Sequence, residues 1–279
     1  MLKVKQDTPV DPNVLAVLEH VQAVSNALGI PYFMIGARAI DIQLHNVYGL
    51  PTFNPTIDTD FAVAVESWAG FDALKNGLIE TGHFKPDIHK AQRLDFNEVY
   101  PVDLVPFGGL EKPRGSIAWP PEFDQVMRVQ CFTEIDSAAE EIEIPGVGFA
   151  LRAASLPGLM LMKVFAWKDR KERKDAWNIA SLLQNYNLIV DEDSLFADED
   201  IYKAVAYDLE KAGAALLGKN AAAIADTAGV DTVREIVLLG IEKGNLPTQI
   251  GTGLKHVEYD SQISTAEELL GAFLMGFKK

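Results

Sequence analysis

The chain is short of cysteine, of basic charge and of long apolar runs, and each shortage closes off a class of protein. It has one cysteine, Cys131, in 279 residues. No intrachain disulfide is possible, and a reducing compartment is expected. Histidine and cysteine nowhere fall at metal-ligand spacing, which argues against zinc. No run of 18 apolar residues occurs and the N-terminus shows no apolar signal core. The expectation is a cytoplasmic protein with no membrane partner. Lys plus Arg number 25 against 40 Asp plus Glu, a formal net charge of −15. That balance excludes broad, non-specific nucleic-acid binding, which needs a basic footprint, and still leaves room for a local basic groove. Internal repeats and low-complexity segments are also missing.

What remains is ordinary globular composition, 48% hydrophobic and 23% charged, with length for one large domain or two modest ones. Asp11-Pro12 starts a helix whose apolar positions run from Val14 to Leu28 until Gly29 and Pro31 stop it. Pro31 to Ile35 reads as a strand, Ala37 to Val47 as a helix, and 49–55 as a loop. A helix is predicted over Trp68 to Thr81 and a strand over Tyr100 to Val105. Gly108 to Pro121 reads as loop, with short strands near Glu141–Ile144 and Gly148–Arg152. After Ser155-Leu156-Pro157 the pattern is helical only: Leu156 to about Lys168, Asp175 to Tyr186, Asp200 to Leu217 and Val230 to Lys243. A capping box at Ser264–Glu267 precedes a last helix. The expected class is α+β: a mixed-sheet domain over 1–155, then an all-helical domain over 156–279.

The chemistry centres on Thr56-Ile57-Asp58-Thr59-Asp60-Phe61, which runs into Ala62-Val63-Ala64-Val65. In a strand, Asp58 and Asp60 project from one face and Ile57, Thr59 and Phe61 from the other. Two adjacent carboxylates repel unless something compensates, and a hard divalent cation with oxygen preference is the usual compensation. Gly36, between a strand and a helix, offers a tight turn and free helix-start N–H groups that suit a triphosphate. Asp103, on the Tyr100–Val105 strand, adds a third carboxylate. Three carboxylates on adjacent strands are the minimum for two-metal phosphoryl transfer, with Asp103 as ligand, general base or both.

Ile35-Gly36-Ala37-Arg38-Ala39, the 56–63 block, Val102–Gly108, Ser155–Leu159 and the series Lys163, Ala166-Trp167, Asp169-Arg170, Lys174-Asp175-Ala176 occur in a definite order. Together they resemble the nucleotidyltransferase superfamily of the DNA polymerase β type, and more closely the bacterial AbiEii-like nucleotidyltransferases, some of which are toxins of abortive-infection and toxin–antitoxin systems. The resemblance spans residues 32–186. It implies a nucleotidyltransferase-type α/β domain and a helical domain that closes the nucleotide cleft. It further implies transfer from an NTP with two Mg²⁺ ions to an acceptor on RNA, protein or a small molecule, and a possible cognate antitoxin. By the same resemblance Asp58, Asp60 and Asp103 are the metal ligands and catalytic residues. Gly36, Ala37 and Arg38 lie at the phosphate end, Lys163 reaches the phosphates, and Lys174 and Asp175 form a second motif. If one helix is continuous there, Lys163, Trp167, Arg170 and Lys174 share a face and form a cationic stripe. The pattern departs at Ala37, which supplies no hydroxyl, at Ile40 and Asn54 where basic residues are expected, and at Asn178 in place of an Asp.

Other residues read more plainly. Arg93 and His89 resemble a family pair, with His89 expected to be an exposed loop residue. Cys131 reads as a small buried side chain, Trp119-Pro120-Pro121 as a rigid packing loop, and Asp191–Asp200, with six acids in ten, as a solvated loop and helix start.

Overall fold

The computed structural model describes residues 1–51 and 56–278; Asn54 lies outside them. The fold is α+β, and its contacts divide it into two compact units that part between Ser155 and Leu156, except that Leu50 and Pro51 group with the second unit rather than the first.

In the first unit, among the described residues, eight strands form one mixed sheet in the order β1-β9-β10-β2-β3-β6-β5-β4. The strands are β1 (Leu2–Lys3), β2 (Tyr32–Ile35), β3 (Thr59–Val65), β4 (Phe84–Pro86), β5 (Arg93–Phe96) and β6 (Tyr100–Gly108), then β9 (Glu140–Glu143) and β10 (Ala150–Ala153). A separate hairpin pairs β7 (Ser116–Ala118) with β8 (Val126–Arg128). The helices are α1 (Pro12–Leu28), α2 (Gly36–Asp41), α3 (Trp68–Glu80) and α4 (Phe132–Ser137). Asp11 caps α1 through the Asn13 N–H, and Gly29 ends it in the left-handed region.

The centre of the sheet is β2, β3 and β6. Thr59, Phe61, Val63 and Val65 are buried on one face of β3, while Asp60 and Ala64 on the other are only partly covered. Period-2 burial fixes the register, because a slip of one residue would put Asp60 into the core. Tyr32 meets Phe61 edge-on, with ring centroids 5.7 Å apart.

Beyond α2 the helix widens into a π-helical stretch, Ile42–Val47. That turns two polar side chains inward. Gln43 Nε2 donates to the carbonyls of Ala39 and Ala154, and Asn46 Nδ2 to those of Thr8 and Pro9. Ile40 is 2% exposed, so this turn has no room for a solvated basic residue. Trp119 is buried against Trp68 and Phe71, and Cys131 is buried with φ 65°.

The second unit is helical: α5 (Leu156–Arg170), α6 (Arg173–Asn185), α7 (Glu192–Phe196), α8 (Glu199–Ala204), α9 (Leu209–Ile224), α10 (Thr227–Glu242), α11 (Asn245–Gly251) and α12 (Gln262–Gly276). Two sequence expectations fail here. The helix expected over Asp200–Leu217 is broken at Ala206 and Tyr207, both at positive φ, and restarts with Asp208 capping α9. Ser264 is not an N-cap: it lies inside α12, and its hydroxyl donates to the Ser261 carbonyl. The acidic run resolves into caps, Asp191 on α7 and Asp198 on α8. α9 crosses α12 at two glycines. A Cβ on Gly218 would stand 2.1 Å from the Phe273 carbonyl oxygen, and one on Gly276 1.8 Å from that of Ala215. The two backbones therefore touch directly. Among the described residues no helix is long and apolar enough to cross a membrane.

Candidate active site

Four residues form one lateral row across the first unit's sheet. Ile35 pairs in register with Asp60, Asp60 with Asp103, and Asp103 with Arg93. Residues paired in this way point to the same face, so β3, β6 and β5 present acid, acid and base side by side. Asp58 sits one residue before β3, a correction to the strand expected there, since the ladder begins at Thr59. Its carboxylate still reaches the row. Carboxylate oxygens of Asp58, Asp60 and Asp103 lie within 4.8 Å of one another.

Each carboxylate is fixed differently. Asp58 Oδ1 accepts from the Thr56 hydroxyl at 2.5 Å. Asp103 is gripped by Arg93: Nε donates to Oδ1 at 2.7 Å and Nη2 to Oδ2 at 2.8 Å. The same Nη2 lies 3.4 Å from Asp58 Oδ2. Asp60 fits because Gly36 has no side chain. A Cβ there would stand 2.0 Å from Asp60 Oδ2, and Gly36 holds φ +77°. The Asp103 and Arg93 side chains are 15% and 16% exposed, so water screens the pair weakly. The hydrogen bond to Asp103 raises the Arg93 pKa above its ordinary value. Burial opposes this, and the charges of Asp103, Asp58 and Asp60 add to it.

Beside the row, Arg38 donates through Nη2 to the Thr56 carbonyl. Among the described residues its Nε is buried with no hydrogen-bond partner, a costly arrangement that leaves a donor to be satisfied. Ala37 is half-buried at the start of α2. His89 is exposed, and its backbone N–H donates to Asp87.

In the second unit the expected cationic stripe does not form. α5 ends at Arg170, and Lys171 has φ 55°, so Lys174 belongs to another helix. Lys174 pairs instead with Glu172 at 3.0 Å. Lys163 and Arg170 converge on Asp175, which is fully buried. Arg170 Nη2 lies 2.8 Å and Lys163 Nζ 3.5 Å from its Oδ1. Trp167 is buried and donates to Gln249, and Asn178 is 8% exposed.

Arg93 is the residue whose importance sequence reasoning underrated. The signal was available: in Arg93-Leu94-Asp95-Phe96 the second and fourth residues are buried, a period-2 pattern that sets Arg93 on the Asp103 face.

Fold and site together define a two-unit α+β protein with a three-carboxylate centre at the middle of its first unit's sheet. No protein-family model and no curated protein sequence matches the chain. Among solved structures it is similar to the antibiotic-resistance factor ANT(2'')-Ia in solution, at 14% identity and TM-score 0.36 over 58% of this chain and 75% of that one. It is similar also to the crystal structure of ANT(2'')-Ia in complex with adenylyl-2''-tobramycin, at 12% identity and TM-score 0.36, covering 73% and 97%. A third is an antigenic nucleotidyltransferase-like protein from Paracoccidioides brasiliensis, at 17% identity and TM-score 0.41, covering 72% and 90%.

Proposed function

We propose that this protein is a Mg²⁺-dependent nucleotidyltransferase that moves a nucleotidyl group from an NTP to a hydroxyl acceptor and releases pyrophosphate. The observation that carries the reading is the convergence of Asp58, Asp60 and Asp103 within 4.8 Å. The donor set fits the ion: all-oxygen, anionic, with Asp60 and Asp103 held on strands and Asp58 one residue before β3. When bound, divalent ions there lower the pKa of an attacking hydroxyl and offset charge on the phosphates. The protein's own groups do the rest. Asp58 and Asp60 form the seat, Gly36 leaves the room that the Asp60 carboxylate fills, and the backbone N–H groups at the start of α2 are the proposed phosphate contacts. Arg38 Nε supplies a buried donor that no acceptor among the described residues satisfies. To Asp103, whose position is fixed by Arg93, we assign the role of metal ligand, of base for the hydroxyl proton, or both. In the helical unit, Lys163, Arg170, Lys174 and Asp175 are proposed as that unit's own nucleotide-binding residues, with Lys163 and Arg170 held by the buried Asp175.

The test is incubation with each of the four labelled NTPs and Mg²⁺, with Asp58→Asn/Asp60→Asn as control. Nucleotidyl transfer, to the protein itself or to an added acceptor, should appear with the natural chain and vanish with the double variant. Equal labelling by both proteins would refute the assignment.

A further inference from the structure

The carboxylate centre carries a cation of its own. Arg93 occupies both oxygens of Asp103 with one planar fork, the strongest hydrogen-bonded geometry open to a carboxylate. A guanidinium stays protonated, so this charge cannot be relieved by losing a proton. Its second contact, at 3.4 Å to Asp58, is longer. The three carboxylates are therefore not equivalent toward an incoming ion. One that uses Asp58 and Asp60 leaves the strong fork intact. One that also needs Asp103 must displace Arg93 from one of the two short contacts of that fork.

Resting on the carboxylate-centre reading above, we propose that Arg93 is a positioning residue that divides the centre into two unequal cation seats. The tight seat is on Asp58 and Asp60, and the weak seat includes Asp103. A phosphate offers the fork an alternative bidentate partner. A bound triphosphate that draws Arg93 away therefore strengthens the weak seat, and by linkage an ion in that seat strengthens triphosphate binding.

The experiment titrates the full chain with Mn²⁺ in the absence of nucleotide, with free Mn²⁺ read by electron paramagnetic resonance. It compares the natural protein with Arg93→Gln and Arg93→Lys. The natural chain should bind one ion well and a second weakly. Arg93→Gln should tighten the second seat by about tenfold or more, the scale of one unit charge removed at close range. Arg93→Lys keeps the charge and loses the fork, so it should tighten that seat by less. Where Arg93→Gln fails to fold in metal-free buffer, Arg93→Lys carries the test alone. A merely structural role for Arg93 predicts the opposite sign, a loss of Mn²⁺ affinity. Equal or weaker binding by the variants overturns this inference and leaves the carboxylate centre standing. Absence of Mn²⁺ binding in every protein overturns both.

Discussion

Replacing Gly36 with alanine tests how the centre is built, because the structure separates two costs. The first is backbone strain: Gly36 has φ +77°, a region that costs an L-residue about 1–2 kcal/mol. The second is steric. The new methyl would approach Asp60 Oδ2 to 2.0 Å and its Cγ to 2.8 Å. Ordinary contact begins at 3.4 Å, so the carboxylate has to retreat by about 1.4 Å. Forcing a group into a filled space costs about 1–3 kcal/mol. The sum is about 3 kcal/mol, and at about 2–4 °C per kcal/mol it lowers the melting temperature by roughly 6–12 °C. Gly29 is the internal control. It has φ +66° with nothing within 4 Å of the added Cβ, so Gly29→Ala should show the strain cost alone. A displacement of this size also takes Asp60 out of its cluster, so Mn²⁺ binding should weaken by a factor on the order of a hundred in Gly36→Ala. A double-mutant cycle closes the argument. In an Asp60→Ala background most of the steric cost should disappear, with coupling of about 1–3 kcal/mol. The reasoning is refuted if Gly36→Ala is no worse than Gly29→Ala, or if the cycle shows no coupling.

Other outcomes follow from the same structure. Asp175→Ala removes a fully buried carboxylate from between Arg170 and Lys163. It should cost about 3–5 kcal/mol in urea denaturation, and a loss within experimental error would refute the buried ion-pair account. Gly276→Ala pushes a methyl to 1.8 Å from the Ala215 carbonyl oxygen. It should force α9 and α12 apart at a cost of about 3 kcal/mol; native stability by calorimetry would contradict that crossing. His20 packs on the rings of Phe84 and Phe96, and its folded-state pKa is lowered, first by burial, then by His83, against an opposing effect of Glu19. The unfolded chain therefore takes up the proton first as pH falls. Stability from this group is complete above about 6.5 and is lost as pH falls from there through the lowered folded-state pKa. Urea midpoints at pH 8 and pH 5.5 should converge in His20→Leu, and an unchanged gap would exclude His20 as its source.

The parts of the fold that depend on local chemistry were readable in the sequence. Asp11 and Gly29 bound α1 as capping rules require. The alternation around Asp60 anticipated a central strand, and the helical character after residue 155 holds among the described residues. What escaped was set at a distance. Lys171 breaks the α5–α6 run with a left-handed backbone, which no periodicity reveals. The break at Ala206–Tyr207 is of the same kind. Lys163 and Arg170 looked like open cations because their shared partner Asp175 lies on the next helix. The site was legible as three carboxylates in order. Arg93 was legible as a family-pair residue on a period-2 strand, but its partner was not, because only β5–β6 pairing turns a neighbour ten positions away into a direct partner.

The strand order also sets a timetable for folding. β2 to β6 come from one continuous stretch, so the carboxylate row and its arginine can assemble as soon as residue 108 has been made. The rest of the sheet has to wait. β2 gains its other neighbour only when Ala153 pairs with Met34, and β1 pairs through Leu2 with Ile142. From residue 108 to residue 153, at about 5–20 residues per second, the free edge of β2 stands open for roughly 2–9 seconds of synthesis. An unpaired strand edge is a template for joining another chain. The interval in which this protein is most exposed to misassembly therefore comes after its chemical centre can form and before its sheet is closed.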